Sequence, residues 1–189
     1  MQAQVLHSCK PVTAKPLVLE ECEKPVARPG EVLIKVSACG ICRTDLHVVE
    51  GELDSARYEF PVIPGHQVVG RVEVAPAGST LRPGQRVGVP WLNETCGCCR
   101  FCQSDRENLC ESPEFTGWTR NGGFAEYVPA PADFVYPLPA ALSDIEAAPL
   151  LCAGIIGYRC LRQCELDDWA GAKLCLYVFG AAGPVSYTH

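Results

Sequence analysis

Four cysteines stand close together in one short segment of this sequence, Cys96, Cys99, Cys102 and Cys110, at intervals of three, three and eight residues. This spacing lets one loop fold several thiolates around a single ion, and four thiolates complete a tetrahedron around Zn²⁺. Because no coordination position stays open, such a site is structural. The same residues leave free thiols, disulfides or an iron–sulfur cluster as alternatives. Cys98 is surplus to the set, and we expect it to be a free thiol.

A second cysteine pair, Cys39 and Cys42, has the spacing Cys-x-x-Cys. Alone, this spacing is typical of a dithiol redox centre, so thiol–disulfide exchange is one hypothesis for the chain. Farther along, His66 follows a glycine, and Cys152 follows two leucines. Taken singly, such a histidine is more often a loop residue and such a cysteine is more often part of the core. Spacing alone does not link Cys42, His66 and Cys152.

Taken together, three segments resemble the zinc-dependent alcohol dehydrogenases of the medium-chain dehydrogenase/reductase superfamily: Cys39-Gly-Ile-Cys-Arg-Thr-Asp-Leu-His47, Pro64-Gly-His-Gln-Val-Val-Gly70 and Pro149-Leu-Leu-Cys-Ala-Gly154. The resemblance extends over almost the whole chain, to about Gly183. It implies an oxidoreductase that interconverts alcohols and aldehydes or ketones by hydride transfer to NAD or NADP. It also implies two zinc ions per chain, one catalytic and one structural.

For the catalytic zinc, the resemblance assigns Cys42, His66 and Cys152 as ligands, with water or the substrate oxygen in the fourth position. This donor set suits the task, because two thiolates cancel the charge of Zn²⁺ while a neutral imidazole keeps the ion Lewis acidic. The four-cysteine segment corresponds to the structural zinc. Asp45 corresponds to the carboxylate that orients the zinc-binding imidazole. Without the resemblance, Thr44 and Asp45 could simply cap a short helix.

Further roles follow from the same resemblance. Thr44 matches the hydroxyl that accepts the proton of the alcohol, and His47 matches the imidazole that passes this proton towards solvent. Arg43 matches a contact to the cofactor pyrophosphate, for which a guanidinium fork is suited. Trp91 matches a wall of the substrate pocket that narrows it towards small alcohols.

One residue departs from the family pattern, because members usually carry Gly-His-Glu where this chain has Gly65-His66-Gln67. The usual carboxylate lies behind the zinc and tunes its field. A neutral amide removes one negative charge at that place. We therefore expect Gln67→Glu to change the turnover rate without abolishing zinc binding.

The elements that must position these groups are short extended runs, punctuated by Pro-Gly turns. Alternation and β-branched residues predict six strands: Val5–Leu6, Leu17–Glu20, Glu31–Val36, Gln67–Val74, Arg86–Val89 and Phe124–Val128. The fold class is therefore mainly β, with linking helices. The resemblance implies an irregular GroES-like β-barrel, which we assign to residues 1–150 as a zinc-binding catalytic domain.

Helical signals begin after Pro137. Ser143 and Glu146 have the spacing of a capping box, in which each side chain satisfies a free amide of the first helical turn. Apolar residues at helical spacing predict a second helix from near Leu150 to Cys164. This helix would link the β-rich body to whatever follows it.

The last part of the chain resembles the beginning of a dinucleotide-binding unit. A continuous apolar run, 174–179, leads into a glycine turn in which the resemblance assigns cofactor contacts to Gly180 and Gly183. Pro184 opposes the helix that would follow. We therefore assign residues 151–183 to a linking helix and the start of a truncated Rossmann NAD(P)-binding domain, and we expect residues 184–189 to be a non-native or misread tail.

Composition limits the partners. The formal net charge is −6, without a basic run, which argues against nucleic acid or an anionic membrane surface as the main partner. No stretch approaches the roughly 18 apolar residues of a membrane span, and no secretory leader is recognisable, so we expect a cytoplasmic protein. The resemblance implies a small alcohol or aldehyde as substrate and a homo-oligomeric parent protein. The alternative to an enzyme is a non-catalytic, zinc-stabilised fragment without dinucleotide binding.

Overall fold

The computed structural model describes residues 1–164, 170–173 and 175. These residues form nine strands: β1 (Gln2–Leu6), β2 (Leu17–Glu21), β3 (Glu31–Gly40), β4 (Gln67–Val74), β5 (Arg86–Val89), β6 (Leu92–Glu94), β7 (Glu114–Phe115), β8 (Tyr127–Pro131) and β9 (Tyr136–Pro137). They also form three α-helices: α1 (Arg43–Glu50), α2 (Asp144–Ala147) and α3 (Ala153–Arg162). The prediction of a mainly β fold with linking helices is confirmed.

The largest sheet is antiparallel and has the strand order β8-β3-β4-β5-β9. Two register shifts in the β3–β4 ladder, between Leu33 and Ile34 and between Val36 and Ala38, are the kind of irregularity that bends a strand and increases its twist. Two-stranded sheets, β1-β2 and β6-β7, complete the β structure of the described residues. The open sheets are consistent with an irregular barrel.

The end of the β3–β4 ladder determines where the metal-ligating residues meet. The last register pair joins Gly40 to Gln67. Cys42 lies two residues after Gly40 and His66 lies one residue before Gln67, so both ligands leave the sheet at the same end. Antiparallel pairing therefore brings together two residues that are far apart in the sequence.

The two faces of β4 pack into different apolar clusters, as the alternation of a strand requires. One face contributes to the main core, which contains Val32, Ile34, Val68, Val72, Leu81, Val87, Val89, Val128, Ala130 and Val135. The other face presents Val69 to Ala147, Ala148 and Leu151. This second cluster holds the turn that precedes Cys152 against the sheet.

Gly88 allows that turn to approach closely. A Cβ atom at this position of β5 would lie 2.6 Å from a methyl carbon of Leu151. Because a contact under 3.0 Å forces a shift, a residue with a side chain at position 88 would require the Leu151 side chain to move. The glycine thus leaves room for the side chain of Leu151, the residue before the predicted metal ligand Cys152.

Several predicted element boundaries change. β8 begins at Tyr127, three residues after the predicted start, and β3 runs four residues past its predicted end. The Ser143–Glu146 capping box is present at the start of α2, as predicted. The second predicted helix is interrupted: a 3₁₀ turn covers Ala148–Leu151, and α3 begins only at Ala153, because Cys152 has non-helical backbone angles (φ −135°, ψ −71°).

The predicted strand 174–179, the glycine turn with Gly180 and Gly183, and the predicted tail 184–189 lie outside the described residues, apart from Cys175. The assignment of residues 151–183 to the start of a Rossmann domain therefore stays a prediction, as does the boundary at residue 150. Within residues 1–164, 170–173 and 175, no helix combines the length and the apolar character needed to cross a membrane.

Candidate metal centres

Four cysteine sulfurs converge in the loop between β6 and β7. Sγ of Cys96 lies 3.5 Å from Sγ of Cys110 and 3.9 Å from Sγ of Cys102, which in turn lies 3.6 Å from Sγ of Cys99. Four sulfurs held at about 2.3 Å from a central zinc in a tetrahedron would lie about 3.8 Å apart. A disulfide would need about 2.05 Å. The four thiols therefore have the separation of ligands to one metal ion and are too far apart for disulfides.

Backbone amides point at these sulfurs and prepare them to lose their protons. Cys96 N–H donates to Sγ of Cys110 at 3.3 Å, and Cys99 N–H donates to Sγ of Cys96 at 3.4 Å. Hydrogen bonds from the amides of Cys98 and Cys99 lower the pKa of Cys96 to about 6. Cys98 is exposed and lies outside the group of four whose sulfurs converge, as predicted for a surplus thiol.

A second group of possible ligands comes from three separate parts of the fold. Cys42 is the N-cap of α1, His66 directly precedes β4, and Cys152 directly precedes α3. The ligand atoms of these three residues all lie within 4.8 Å of one another, and Sγ of Cys42 lies 3.2 Å from Nε2 of His66. His66 is fully buried. Two thiolates and one imidazole fit a zinc ion with one position left open.

Asp45 connects this group to helix α1. Its Oδ2 accepts a hydrogen bond from Cys42 N–H at 2.8 Å, which completes a capping box, and its Oδ1 lies 2.9 Å from Nδ1 of His66. One buried carboxylate therefore both caps the helix and turns the imidazole so that Nε2 faces Cys42. The N-cap of α1 is Cys42, with Asp45 as the second member of the capping box, and the role of Asp45 as the carboxylate that orients a zinc-bound imidazole stays a prediction.

The charges in this group depend on one another. The hydrogen bond with Cys152 lowers the pKa of Cys42 to about 3, while the same contact and burial raise the pKa of Cys152. These shifts favour the thiolate at Cys42 and the protonated thiol at Cys152. Burial lowers the pKa of His66, but the hydrogen bonds with Asp45 and Cys42 outweigh it and raise the pKa to about 9. A divalent cation that binds here would displace the proton of the Cys152 thiol and one proton of a protonated His66.

Cys39 and Cys42 have different surroundings. Burial raises its pKa to about 12, so the thiol stays protonated and is a poor nucleophile. Its neighbour Cys42 is directed to His66 and Cys152. These environments argue against thiol–disulfide exchange through Cys39 and Cys42.

Gln67 makes a contact that the sequence did not indicate. Its side chain is buried and hydrogen-bonds to Cys152, which lowers the pKa of that thiol and partly offsets the effects that raise it. Its Oε1 occupies the place where a Cβ of Gly40 would be, at 2.1 Å, so the glycine makes room for the amide. The amide stands where the resemblance implies a glutamate, and it contacts a predicted metal ligand.

Three other predicted residues lie on α1, next to Cys42. Thr44 is half-buried, and its amide donates to Sγ of Cys42 at 3.3 Å. His47 is partly exposed, and its Nδ1 pairs with Glu52. Arg43 is exposed at the first position of the helix. All three lie on the helix that Cys42 caps, and Thr44 contacts Cys42 directly, while their roles in catalysis stay predictions.

Trp91 contacts one member of the same group, His66. Its ring meets the His66 ring edge-on, with centroids 5.0 Å apart, and stacks on Phe115 at 4.8 Å and on Trp118 at 6.0 Å. The guanidinium of Arg57 covers Phe115 and Trp118. Trp91 is therefore part of an aromatic cluster with Phe115 and Trp118, while its role as a wall of the substrate pocket stays a prediction.

Comparison with known proteins identifies the family to which this chain belongs. A family model described as the alcohol dehydrogenase GroES-like domain matches residues 28–140, which is more than half of the chain. The chain belongs to the alcohol dehydrogenase GroES-like family. The matched region contains every predicted ligand of both metal centres except Cys152.

Individual members of this alcohol dehydrogenase family support the assignment. The probable alcohol dehydrogenase AdhA of Mycobacterium tuberculosis is 48% identical over 98% of this chain and 54% of its own length. An alcohol dehydrogenase of Geobacillus stearothermophilus is 42% identical over 98% of this chain and 53% of its own length. A cobalt- and zinc-bound thermostable alcohol dehydrogenase from Pyrobaculum aerophilum superposes with a TM-score of 0.80 at 28% identity, over 98% of this chain and 55% of that protein.

These matches confirm the resemblance to the zinc-dependent alcohol dehydrogenases. The chain spans about half the length of the alcohol dehydrogenases that it matches. The activity of a whole alcohol dehydrogenase is therefore a proposal for this chain.

Proposed function

We propose that this chain forms the zinc-binding part of an oxidoreductase that interconverts alcohols and aldehydes or ketones by hydride transfer to NAD or NADP. The observation that carries the proposal is the difference between the two metal centres. One offers four thiols, which would close a structural zinc site. The other offers Cys42, His66 and Cys152, which would leave a fourth position for a substrate oxygen.

When bound at the open site, zinc supplies Lewis acidity that makes a substrate hydroxyl easier to deprotonate. The residues around it would then handle the proton. Thr44 would accept it, and His47 would pass it to solvent. The two residues are three positions apart on α1 and so lie on the same face of the helix. Asp45 would keep Nε2 of His66 directed at the metal.

The other parts of the proposal concern substrate, cofactor and assembly. Trp91 would limit the substrate to small alcohols and aldehydes, because its ring stands against His66 at the edge of the open site. Arg43 would contact the cofactor pyrophosphate, together with Gly180 and Gly183. The residue that would choose NAD over NADP is expected about 20 residues after the glycine turn, so the proposal includes both. The parent protein is proposed to be a cytoplasmic homo-oligomer.

Metal analysis of the purified chain tests the two-site proposal. We expect about two zinc ions per chain, falling to about one in Cys152→Ser, because serine is a poor zinc ligand. Cys160→Ser is the matched control: it removes an exposed thiol from α3 and should leave both ions in place. One ion in the unchanged chain would show that the open site does not form, and none would refute both metal assignments.

A dinucleotide titration then separates the two function classes. Saturable binding of NADH by the zinc-loaded chain, with alcohol-dependent reduction of NAD or NADP, would support a dehydrogenase that is active in this length. We expect little or no binding, because the relatives that carry the activity are about twice as long. That result would identify this chain as a zinc-stabilised unit without dinucleotide binding.

A further inference from the structure

Glu52, two residues after the end of α1, meets the ring of His47. Gly51 adopts a left-handed conformation (φ 76°), and its amide bonds to the carbonyls of His47 and Val48. The amide of Glu52 also bonds to the carbonyl of His47, at 2.9 Å. This reversal is how helices commonly end at glycine. It returns the Glu52 side chain along the helix, where its Oε2 contacts Nδ1 of His47.

The reversal depends on the glycine for a second reason. A Cβ at position 51 would lie 2.8 Å from Cβ of Cys9, so a side chain would collide with the segment that packs against the helix. Both the left-handed backbone and the close neighbour therefore require glycine. The position of Glu52 beside His47 is built into the end of the helix.

Two histidines at α1, His66 and His47, each pair with a carboxylate through Nδ1. Asp45 pairs with Nδ1 of His66 and leaves Nε2 facing Cys42. Because a carboxylate accepts a hydrogen bond, the paired nitrogen of a neutral imidazole carries the proton and the other nitrogen keeps its lone pair. Glu52 meets His47 at Nδ1 in the same way. His7 differs, since it pairs with Glu20 through Nε2.

We propose that Glu52 is a positioning residue that holds His47 in the tautomer protonated at Nδ1, so that Nε2 is free to accept a proton. This inference rests on the proposed role of His47 as the proton carrier. A proton released at Thr44 would enter His47 at Nε2, and the Nδ1 proton would leave through Glu52 or water. The number of protons is unchanged at each transfer, and no oxidant or reductant is needed. The side chains of His47 and Glu52 are 35% and 46% exposed, which gives water access to both.

Nitrogen-15 NMR of the imidazole rings tests the proposal on the zinc-loaded, full-length chain, since the two tautomers of neutral histidine have different ring shifts. The chain has only four histidines, so His47 can be assigned from the spectrum of His47→Gln. We expect unchanged His47 to favour the Nδ1–H tautomer. In Glu52→Gln, the ratio of Nδ1–H to Nε2–H should fall about two- to fivefold, the size of a partly exposed charge pair. Glu52→Asp, which keeps the carboxylate, should retain part of the preference.

Glu20→Gln is the matched control, because it removes a second exposed histidine–glutamate pair among the described residues, His7–Glu20. It should change the tautomer ratio of His7 and leave that of His47 alone. An unchanged His47 ratio in Glu52→Gln would overturn the proposal. The zinc content of the same samples separates this failure from failure of the proposed function, because an unfilled open site would refute the latter while the tautomer ratio still tests Glu52.

Discussion

Asp45→Asn is the most informative single change, because Asp45 is buried and its two oxygens serve two different partners. Oδ2 accepts from Cys42 N–H at 2.8 Å and Oδ1 pairs with Nδ1 of His66 at 2.9 Å. Asparagine has one acceptor oxygen and one NH₂ group, so it can keep only one of these contacts. It also removes the negative charge that favours the imidazole orientation.

We expect Asp45→Asn to weaken zinc binding at the centre formed by Cys42, His66 and Cys152. Loss of a carboxylate that orients a metal-binding imidazole typically weakens metal binding about 10- to 100-fold, or about 1.4 to 2.7 kcal/mol. The four-cysteine centre shares no residue with Asp45, so its affinity should not change. Competition between the protein and a chromogenic chelator, followed as two successive zinc equivalents, measures both affinities in one sample.

Asp54→Asn is the matched control for this experiment. Asp54 also caps a helical turn, with Oδ1 accepting from Ala56 N–H at 3.1 Å, but it lies outside both metal centres. It should leave both zinc affinities unchanged. An Asp45→Asn protein that binds two zinc ions with the unchanged chain's affinities would refute the role given to Asp45. Equal weakening of both centres would also refute it, since that outcome indicates a general loss of structure.

Two further outcomes are expected. Gln67→Glu should keep two zinc ions per chain, but a charge would replace the amide that contacts Cys152. We therefore expect a change in the absorption spectrum of the cobalt-substituted open site and in the pH dependence of any turnover. An unchanged spectrum and pH profile would count against a tuning role for residue 67. Ile34→Ala should lower the free energy of unfolding by about 2–5 kcal/mol in urea titrations at fixed zinc, because Ile34 is fully buried in the main core. Ile145→Ala, at a position 80% exposed, should change it by less than about 0.5 kcal/mol; similar losses in both variants would refute the assignment of the core.

Local features of this protein can be predicted from the sequence because their partners are neighbours in the chain. The four cysteines between Cys96 and Cys110 can reach one ion from a single loop, so their spacing carries the information. The Ser143–Glu146 capping box is equally local. The strands are predictable where β-branched residues alternate. Their ends are less so, because pairing with a neighbouring strand determines how far each strand continues, as the longer β3 shows.

The open metal centre required the tertiary structure. Cys42, His66 and Cys152 were linked in the sequence only by a family resemblance, and no spacing rule joins them. They meet because the β3–β4 ladder ends beside Gln67 and because a turn containing Leu151 packs on the far face of β4. The neighbours of the predicted ligands and of His47 also depend on tertiary packing. Gln67 touches Cys152 across the fold, and Glu52 reaches His47 only because the chain reverses at Gly51, so their partners became apparent once the backbone was folded.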